Sequence, residues 1–468
     1  MVSIGLDRRT PAAWSRRLGA MVMAALLVAA CAPPGAVSTP TPGQSAAATP
    51  AGSPSGSAVA AGPSCGTDPV KLNAYFETGF DLPFKLSEEF TRQFPNVTWD
   101  IKQDQFTNLM SATPRLLSGD NPPDLIRLPS MVSLVKDGLL KNLDAYVTAF
   151  GWDKFPAAQL AQNRVASDGT RGSGSLYAAG LNYSLTGVFY NKQLAQQIGM
   201  TTTPPTVQEF EGLLAKAKTA KLQPIMIWNA TASGGGLAFP LQNLMAAYGP
   251  TQPINDWIFQ KSGATIDTPT NLTAAQHLEQ WIEAGYFPKD VNAIEYTDAQ
   301  SRFGKGEGVF MFNGDWQNAG YDKDMSSNVG FFVFPPGEAG GSLAAMSAPL
   351  TYGIAAKAKN ADCAAFFFNW VATNEKAREI DVAVGGSNPG GPPDLAVPQA
   401  TAPVTNETLA AGAEVAKDNG AMDFIANATG SIFAQGWTPE LQKMVGGKQD
   451  AAGLLKAAQA EYEKELAR

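Results

Sequence analysis

From Val70 onward, short apolar runs alternate with amphipathic ones. Val70-Lys-Leu-Asn-Ala-Tyr-Phe76 alternates apolar and polar positions, the period of a half-buried strand. Phe84 to Phe94 instead has helical spacing and stops where Pro95-Asn96 breaks it. Val97-Thr-Trp99-Asp-Ile101 predicts a second strand, Gln105 to Leu117 a second helix, and Asp124-Leu125-Ile126-Arg127-Leu128 a third strand. This alternation implies βαβ units and a largely parallel sheet.

Farther along, Thr206-Val-Gln-Glu209 is a capping box that opens a helix running to about Ala220. Thr270 to Glu283, ending near Gly285, predicts another. Pro224-Ile-Met-Ile-Trp228 and Gly308-Val-Phe-Met-Phe312 are apolar throughout, as strands covered on both faces should be. Strand-like Phe331-Phe-Val-Phe-Pro335 and Tyr352-Gly-Ile-Ala-Ala356 precede a helix from about Ala361 to Ala372. Gly385-Gly-Ser-Asn-Pro-Gly-Gly-Pro-Pro393 is a breaker, and beyond it only helices are expected, the last over Asp450 to Leu466. No repeat of solenoid period occurs.

The first sixty residues differ in kind. Arg8, Arg9, Arg16 and Arg17 precede an apolar run from Leu18 to Ala30, the pattern of a secretory signal over residues 1–30. That run is short of the roughly 20 residues a membrane-spanning helix needs. Leu27-Val28-Ala29-Ala30-Cys31 resembles the bacterial lipobox, which implies that Cys31 is lipidated and becomes the first residue after cleavage. Ser15-Arg16-Arg17 leaves both the general and the twin-arginine export routes open. Residues 32–64 are almost wholly Pro, Ala, Gly, Ser and Thr, too polar and small to fold, and predict a tether with a reach of about 30 Å.

About four hundred residues remain, more than one hydrophobic core usually organises, so two lobes are expected. Removing residues 1–30 takes away four arginines and Asp7, and the formal charge falls from −8 to −11. An acidic body argues against nucleic acid or anionic lipid as a partner, leaving the lipid anchor as the only membrane contact. With Cys31 assigned to the anchor, Cys65 and Cys363 remain, either as a disulfide in an oxidising compartment or as two free thiols.

Catalytic signatures are sparse. His277 is the only histidine and lies mid-helix, so an HExxH zinc site is impossible, and a serine triad would lack a G-x-S-x-G elbow. Gly304-Lys-Gly-Glu-Gly308 lacks the order of a phosphate loop and predicts a turn into a strand. Asp322-Lys-Asp324 begins like a calcium loop without its later Gly and Glu. Neither metal nor cofactor is expected. Two spatially close carboxylates could still make a glycosidase, although nothing nominates a pair.

In this order the elements resemble the extracellular solute-binding proteins of ABC importers, the family that includes maltose-binding protein. The resemblance runs from about Val70 to the end. It is carried by Phe90-Thr-Arg-Gln-Phe-Pro-Asn-Val97, Pro123-Asp-Leu-Ile126, Gly138-Leu-Leu-Lys-Asn-Leu-Asp144, Gly187-Val-Phe-Tyr-Asn-Lys192, Gly304-Lys-Gly-Glu-Gly-Val-Phe-Met-Phe-Asn-Gly-Asp-Trp316 and Tyr352-Gly-Ile-Ala. It implies an α/β protein of the two-lobed periplasmic-binding-protein type 2 fold, each lobe a mixed sheet flanked by helices. Lobe one would be 65–177 plus 336–384, lobe two 178–335 plus 385–468, with hinge crossovers near Ala178, Pro335 and Gly385. Both remaining cysteines then fall in lobe one, which favours their pairing. The function implied is that of a monomeric, non-enzymatic receptor on the outer face of the cell membrane. It would capture a mono- or oligosaccharide between its lobes and pass it to the permease. A polyol phosphate or other organic anion is the alternative ligand, for which Arg127 and Arg302 are the isolated candidate cations, and an exported glycoside hydrolase is the alternative class.

Sugar receptors pair aromatic faces with hydrogen-bonding side chains at strand ends. Trp316, within Asn313-Gly314-Asp315-Trp316, matches the family's ligand-stacking aromatic. Asn182 and Tyr183 match its cleft-lining turn, although the usual proline there is replaced by Gly180. Glu77 follows strand one, and Gln103 with Asp104 follows strand two. Trp437, Tyr352 and Trp228 are further aromatic candidates that a core role would equally suit, while Trp281 and Phe287 fit the core better.

Overall fold

The structure, a computed structural model, describes residues 62–467 apart from 129. The signal segment, Cys31 and the tether up to residue 61 lie outside the described residues. Among the described residues, no helix is long and apolar enough to cross a membrane.

Among the described residues ten strands occur in chain order: β1 Val70–Glu77, β2 Val97–Asp104, β3 Leu125–Arg127, β4 Arg164–Val165, β5 Ser175–Leu176, β6 Ala178–Asn191, β7 Phe310–Gly314, β8 Val329–Phe332, β9 Ala345–Gly353 and β10 Ala421–Met422. Eight of them form one sheet in the order β2-β1-β3-β9-β6-β7, with β10 on β9 and β8 on β6, while β4 and β5 pair separately. β1 pairs in parallel with β2 and β3, each reached through a helix, as the alternating pattern predicts. The first of these helices, Leu82–Gln93, buries Leu82, Leu86 and Phe90, four residues apart along one face. The sheet is nevertheless mixed. β9 returns from the far side of the molecule and therefore enters beside β3 reversed, pairing Ile126 with Gly353.

Apolar side chains separate into two cores. The first gathers Leu72, Ala74 and Phe76, the inward set of β1, with Phe90, Tyr352, Phe367 and Trp370. A satellite of Ile126, Leu128, Leu140 and Ala178 covers the other face of the same sheet. The second core collects Phe210, Trp257, Trp281, Phe310, Phe312 and Phe334. Its helix Val207–Thr219 is capped by Thr206, whose hydroxyl accepts from the Glu209 amide at 3.2 Å, as the capping box predicts.

β6 is 14 residues long because both cores share it. Leu181 packs in the first core and Leu185 in the second. β9 makes the return passage, with Met346 and Ala348 in the second core and Leu350 and Tyr352 in the first. The return crossover therefore falls at Pro349 rather than near Pro335, and the outward one, expected near Ala178, falls a few residues on within β6, between Leu181 and Leu185. Pairing slips between Gly180 and Tyr183, where β6 carries one residue more than β9. Such a bulge is where a sheet tolerates proline, which cannot donate to the ladder. A Cβ on Gly180 would lie 2.6 Å from that of Pro349, so only glycine fits there. The third crossover follows Gly385, and its Asn388 carbonyl accepts from the Tyr183 amide at 2.8 Å.

Two elements differ from the sequence pattern. Pro224–Trp228 is not a strand but a single parallel bridge, Ile225 to Phe310, in which the Met226 amide donates to the Phe310 carbonyl and the Phe310 amide to that of Pro224, while the Ile225 amide donates to the Tyr286 carbonyl. β10, of two residues, interrupts the helical region after Pro393. Gly304 to Gly308 forms the expected turn into β7.

Cys65, just ahead of β1, is joined by a disulfide to Cys363 on the helix Ala361–Thr373. It closes a loop across a sequence separation of 298, which removes much freedom from the unfolded chain. Replacing both cysteines by serine should lower unfolding free energy by about 2–5 kcal/mol in a urea titration. An unchanged midpoint, or free thiols by mass spectrometry under non-reducing conditions, would contradict this pairing.

Candidate functional site

A cavity of about 240 Å³ lies between the two cores. On the side of the first core its walls come from the C-terminal ends of the parallel strands, where open α/β sheets offer their ligand sites. Glu77 ends β1, Phe80 lies in the following turn, Gln105 and Phe106 follow β2, and Arg127 ends β3. The second core contributes Trp228, Phe239, Tyr296, Trp316, Phe424 and Phe433. Ser184 and Pro349 line it from the crossovers. At the mouth the Thr107 hydroxyl donates to the Ala232 carbonyl at 2.9 Å, and the Phe106 and Phe433 rings meet edge to face at 5.8 Å.

The aromatic wall is continuous. Trp228 meets Tyr296 at 4.6 Å and Phe239 at 5.3 Å, Phe239 meets Phe424 at 4.9 Å, and Trp316 packs against Phe80 at 5.9 Å. Trp316 is half-buried and its indole folds over Gly314, where any Cβ would lie 2.0 Å from the ring. The indole Nε1 donates to the Tyr296 hydroxyl at 2.6 Å, as does Gln317 at 3.1 Å. Burial raises the Tyr296 pKa above the ordinary phenol value, which keeps the hydroxyl neutral. Trp228 Nε1 is buried with no hydrogen-bond partner among the described residues.

Polar groups are few and mostly held in place. Arg127 Nε donates to Glu77 at 3.0 Å, and its Nη1 donates to the Leu128 and Thr351 carbonyls. Burial pushes the Glu77 carboxyl above its ordinary range, although the Arg127 guanidinium pulls it down. Opposite, Ser233 donates to Glu295 Oε2 and accepts from the Tyr296 amide at 3.0 Å.

Of the residues singled out from sequence, the structure brings Trp316, Glu77, Arg127 and Trp228 together around this cavity. Gln103 is exposed on β2, and the cavity contact falls at Gln105. Asp104 accepts from the Gln105 amide and from Asn108, both at 2.8 Å, at the start of a helix. Strand alternation turns Tyr183 away from the cavity and Ser184 into it; the Tyr183 ring sits instead beside Gly390 on the opposite face. Asn182 is buried at the bulge against Gly385. Asn313 donates to the Tyr321 hydroxyl at 2.9 Å and Asp315 accepts from Ser387 at 2.7 Å, so both support the wall from behind. Tyr352 and Trp437 are not on the wall. Tyr352 packs edge to face on Phe76 at 5.6 Å in the first core, and Trp437 lies against Trp257 in the second. His277 pairs with Glu211 at 2.7 Å and stacks on Tyr248, away from the cavity.

Phe80, Phe106 and Tyr296 were missed, although all three follow strands or open helices, a positional signal available in sequence. Phe424 and Phe433 reach the wall only through the packing of the C-terminal segment, for which sequence offers no signal.

Two α/β lobes sharing one sheet, three crossovers and an aromatic-walled cavity between them define the two-lobed periplasmic-binding-protein architecture of type 2. The model of the family described as bacterial extracellular solute-binding protein matches residues 73–378, and this chain belongs to that family. A multiple sugar-binding protein of Streptococcus mutans is 24% identical over 315 residues, 64% of this chain and 72% of that protein. In fold the chain is similar to a chitin oligosaccharide binding protein, with a TM-score of 0.71, 21% identity, and coverage of 85% of this chain and 99% of that one. The maltose-bound MalE3 of T. maritima gives a TM-score of 0.67 at 18% identity, over 84% and 99%.

Arg127→Met should cost about 3–5 kcal/mol in chemical denaturation, because it strands the buried Glu77 carboxylate. Adding Glu77→Gln should recover much of that loss. A double variant as unstable as the summed singles would show that the pair does not act as a unit.

Proposed function

We propose that this chain is the substrate-binding component of an ABC importer, capturing a mono- or oligosaccharide in the cavity and passing it to the membrane permease. The observation that carries the reading is the wall itself, with rings of Trp228, Tyr296, Trp316 and Phe80 around a small set of hydrogen-bonding groups. Sugar rings present apolar C–H faces that lie on aromatic planes and hydroxyls that need directed partners. The names of the relatives, which bind multiple sugars, chitin oligosaccharide and maltose, support the same class. An organic anion finds little to hold, since Arg127 is committed to Glu77, and Arg302 is bound to Glu307 at 2.9 Å outside the cavity.

On this reading Trp316 is the stacking surface, backed by the buried Trp228, and Gln105 and Tyr296, with the Glu77–Arg127 pair, orient hydroxyls. The lobes close by bending at the crossovers around Gly180, Pro349 and Gly385. Lipidation of Cys31 holds a monomer at the outer face of the membrane, and the tether lets the body reach the permease.

Titration calorimetry against mono- and disaccharides, with chromatography of each mixture, tests the proposal. Binding without turnover is expected. Release of shorter saccharides would make the chain a hydrolase, with Glu77 and Glu295 the acids to examine. Trp316→Ala should weaken saccharide binding by about 30-fold or more, the scale of a buried aromatic anchor. An unaltered affinity would remove Trp316 from the site.

A further inference from the structure

The three charged side chains on the cavity wall do not balance. Glu77 and Arg127 neutralise each other at 3.0 Å. Glu295 is left over, with no Lys, Arg or His within ion-pair distance among the described residues. Only one of its oxygens is engaged: Ser233 donates to Oε2, while Oε1 receives no hydrogen bond from the described residues. The Ser233 bond fixes the carboxylate, and the Tyr296 amide fixes Ser233 in turn at 3.0 Å. Tyr296, Trp228 and Trp316 line the same cavity, the first two meeting edge to face at 4.6 Å, and aromatic faces attract cations. An anchored carboxylate with a spare acceptor, next to aromatic faces, is a receptor for an ammonium group.

We infer that the cleft selects a carbohydrate carrying a protonated amine, whose ammonium donates to Glu295 Oε1 while a sugar ring stacks on Trp316. The inference rests on the carbohydrate reading above. It names the class of sugar within it: amino sugars above neutral ones, and neutral ones above uronates, which would meet the unpaired carboxylate as a like charge.

Calorimetry on the purified wild-type protein with glucose, glucosamine, N-acetylglucosamine and glucuronate, and with cellobiose, chitosan disaccharide and chitin disaccharide, decides it. Each amine should bind about 10-fold or more tighter than its neutral counterpart, the scale of one charge-assisted hydrogen bond. In Glu295→Gln the ratio of amine to neutral affinity should fall toward one. Neutral or N-acetylated sugars that bind as tightly as the amines would overturn the inference and leave the carbohydrate reading standing. A protein that binds none of these saccharides would overturn both. Because the first comparison uses unaltered protein, a variant that fails to fold does not spoil the test.

Discussion

The architecture depends on a buried carboxylate that no ligand is needed to explain. Asp315 is shut off from water, and its two oxygens accept from the Leu185 amide of β6 at 2.9 Å and from Ser387 of the third crossover at 2.7 Å. β9 is tied in through β6, where Ser184 faces Ala348. All three passages between the lobes therefore meet within a few residues of one side chain, whose chain neighbour is Trp316. Burial drives the Asp315 pKa well above the ordinary carboxylate value, against the pull of these donors. Gly386 is needed at the same point, since its φ is +68° and a Cβ there would lie 2.3 Å from the Asp315 carbonyl oxygen. The element that positions the cavity's principal aromatic and the element that joins the lobes are thus one structure.

From this junction the composition of the cavity follows. Parallel strands of the first core end at the cleft, so residues just past β1, β2 and β3 reach it whatever their side chains. The second core reaches the cleft through loops and helix starts instead, and there aromatic residues do double duty. Phe239 and Phe424 belong to that core and to the wall at once. Rigid packing behind the rings keeps their faces aligned, which lowers the ordering cost when a ligand enters.

Much of the fold was legible because periodicity and breakers speak directly to local structure. The helix after Thr206, the strands around Val70 and Val97, and the turn at Gly304 to Gly308 all follow from spacing and capping. Pro224–Trp228 misled because an apolar run reports burial, not pairing. The site was legible only in part. Glu77 and Trp316 stand where strand ends announce them, whereas Asn182 and Tyr183 were displaced by a one-residue bulge that turns Ser184 inward in their place. Tyr352 and Trp437 show the limit: a large aromatic near a strand end or helix start fits the core as well as a cleft, and only three-dimensional packing separates the two. Phe424 and Phe433 lie more than a hundred residues beyond Trp316 in sequence, brought back by a connection that no local pattern encodes.

On the proposed function, one solute is held by walls from both lobes at once. Amide hydrogen exchange, with and without the saccharide that most raises the unfolding temperature, tests it directly. Slowed exchange should appear together at residues 105–110, at residues 295–300 and at residues 316–318, with the strands behind them little changed. Protection confined to one of the two lobes, or placed away from the cavity, would contradict the account.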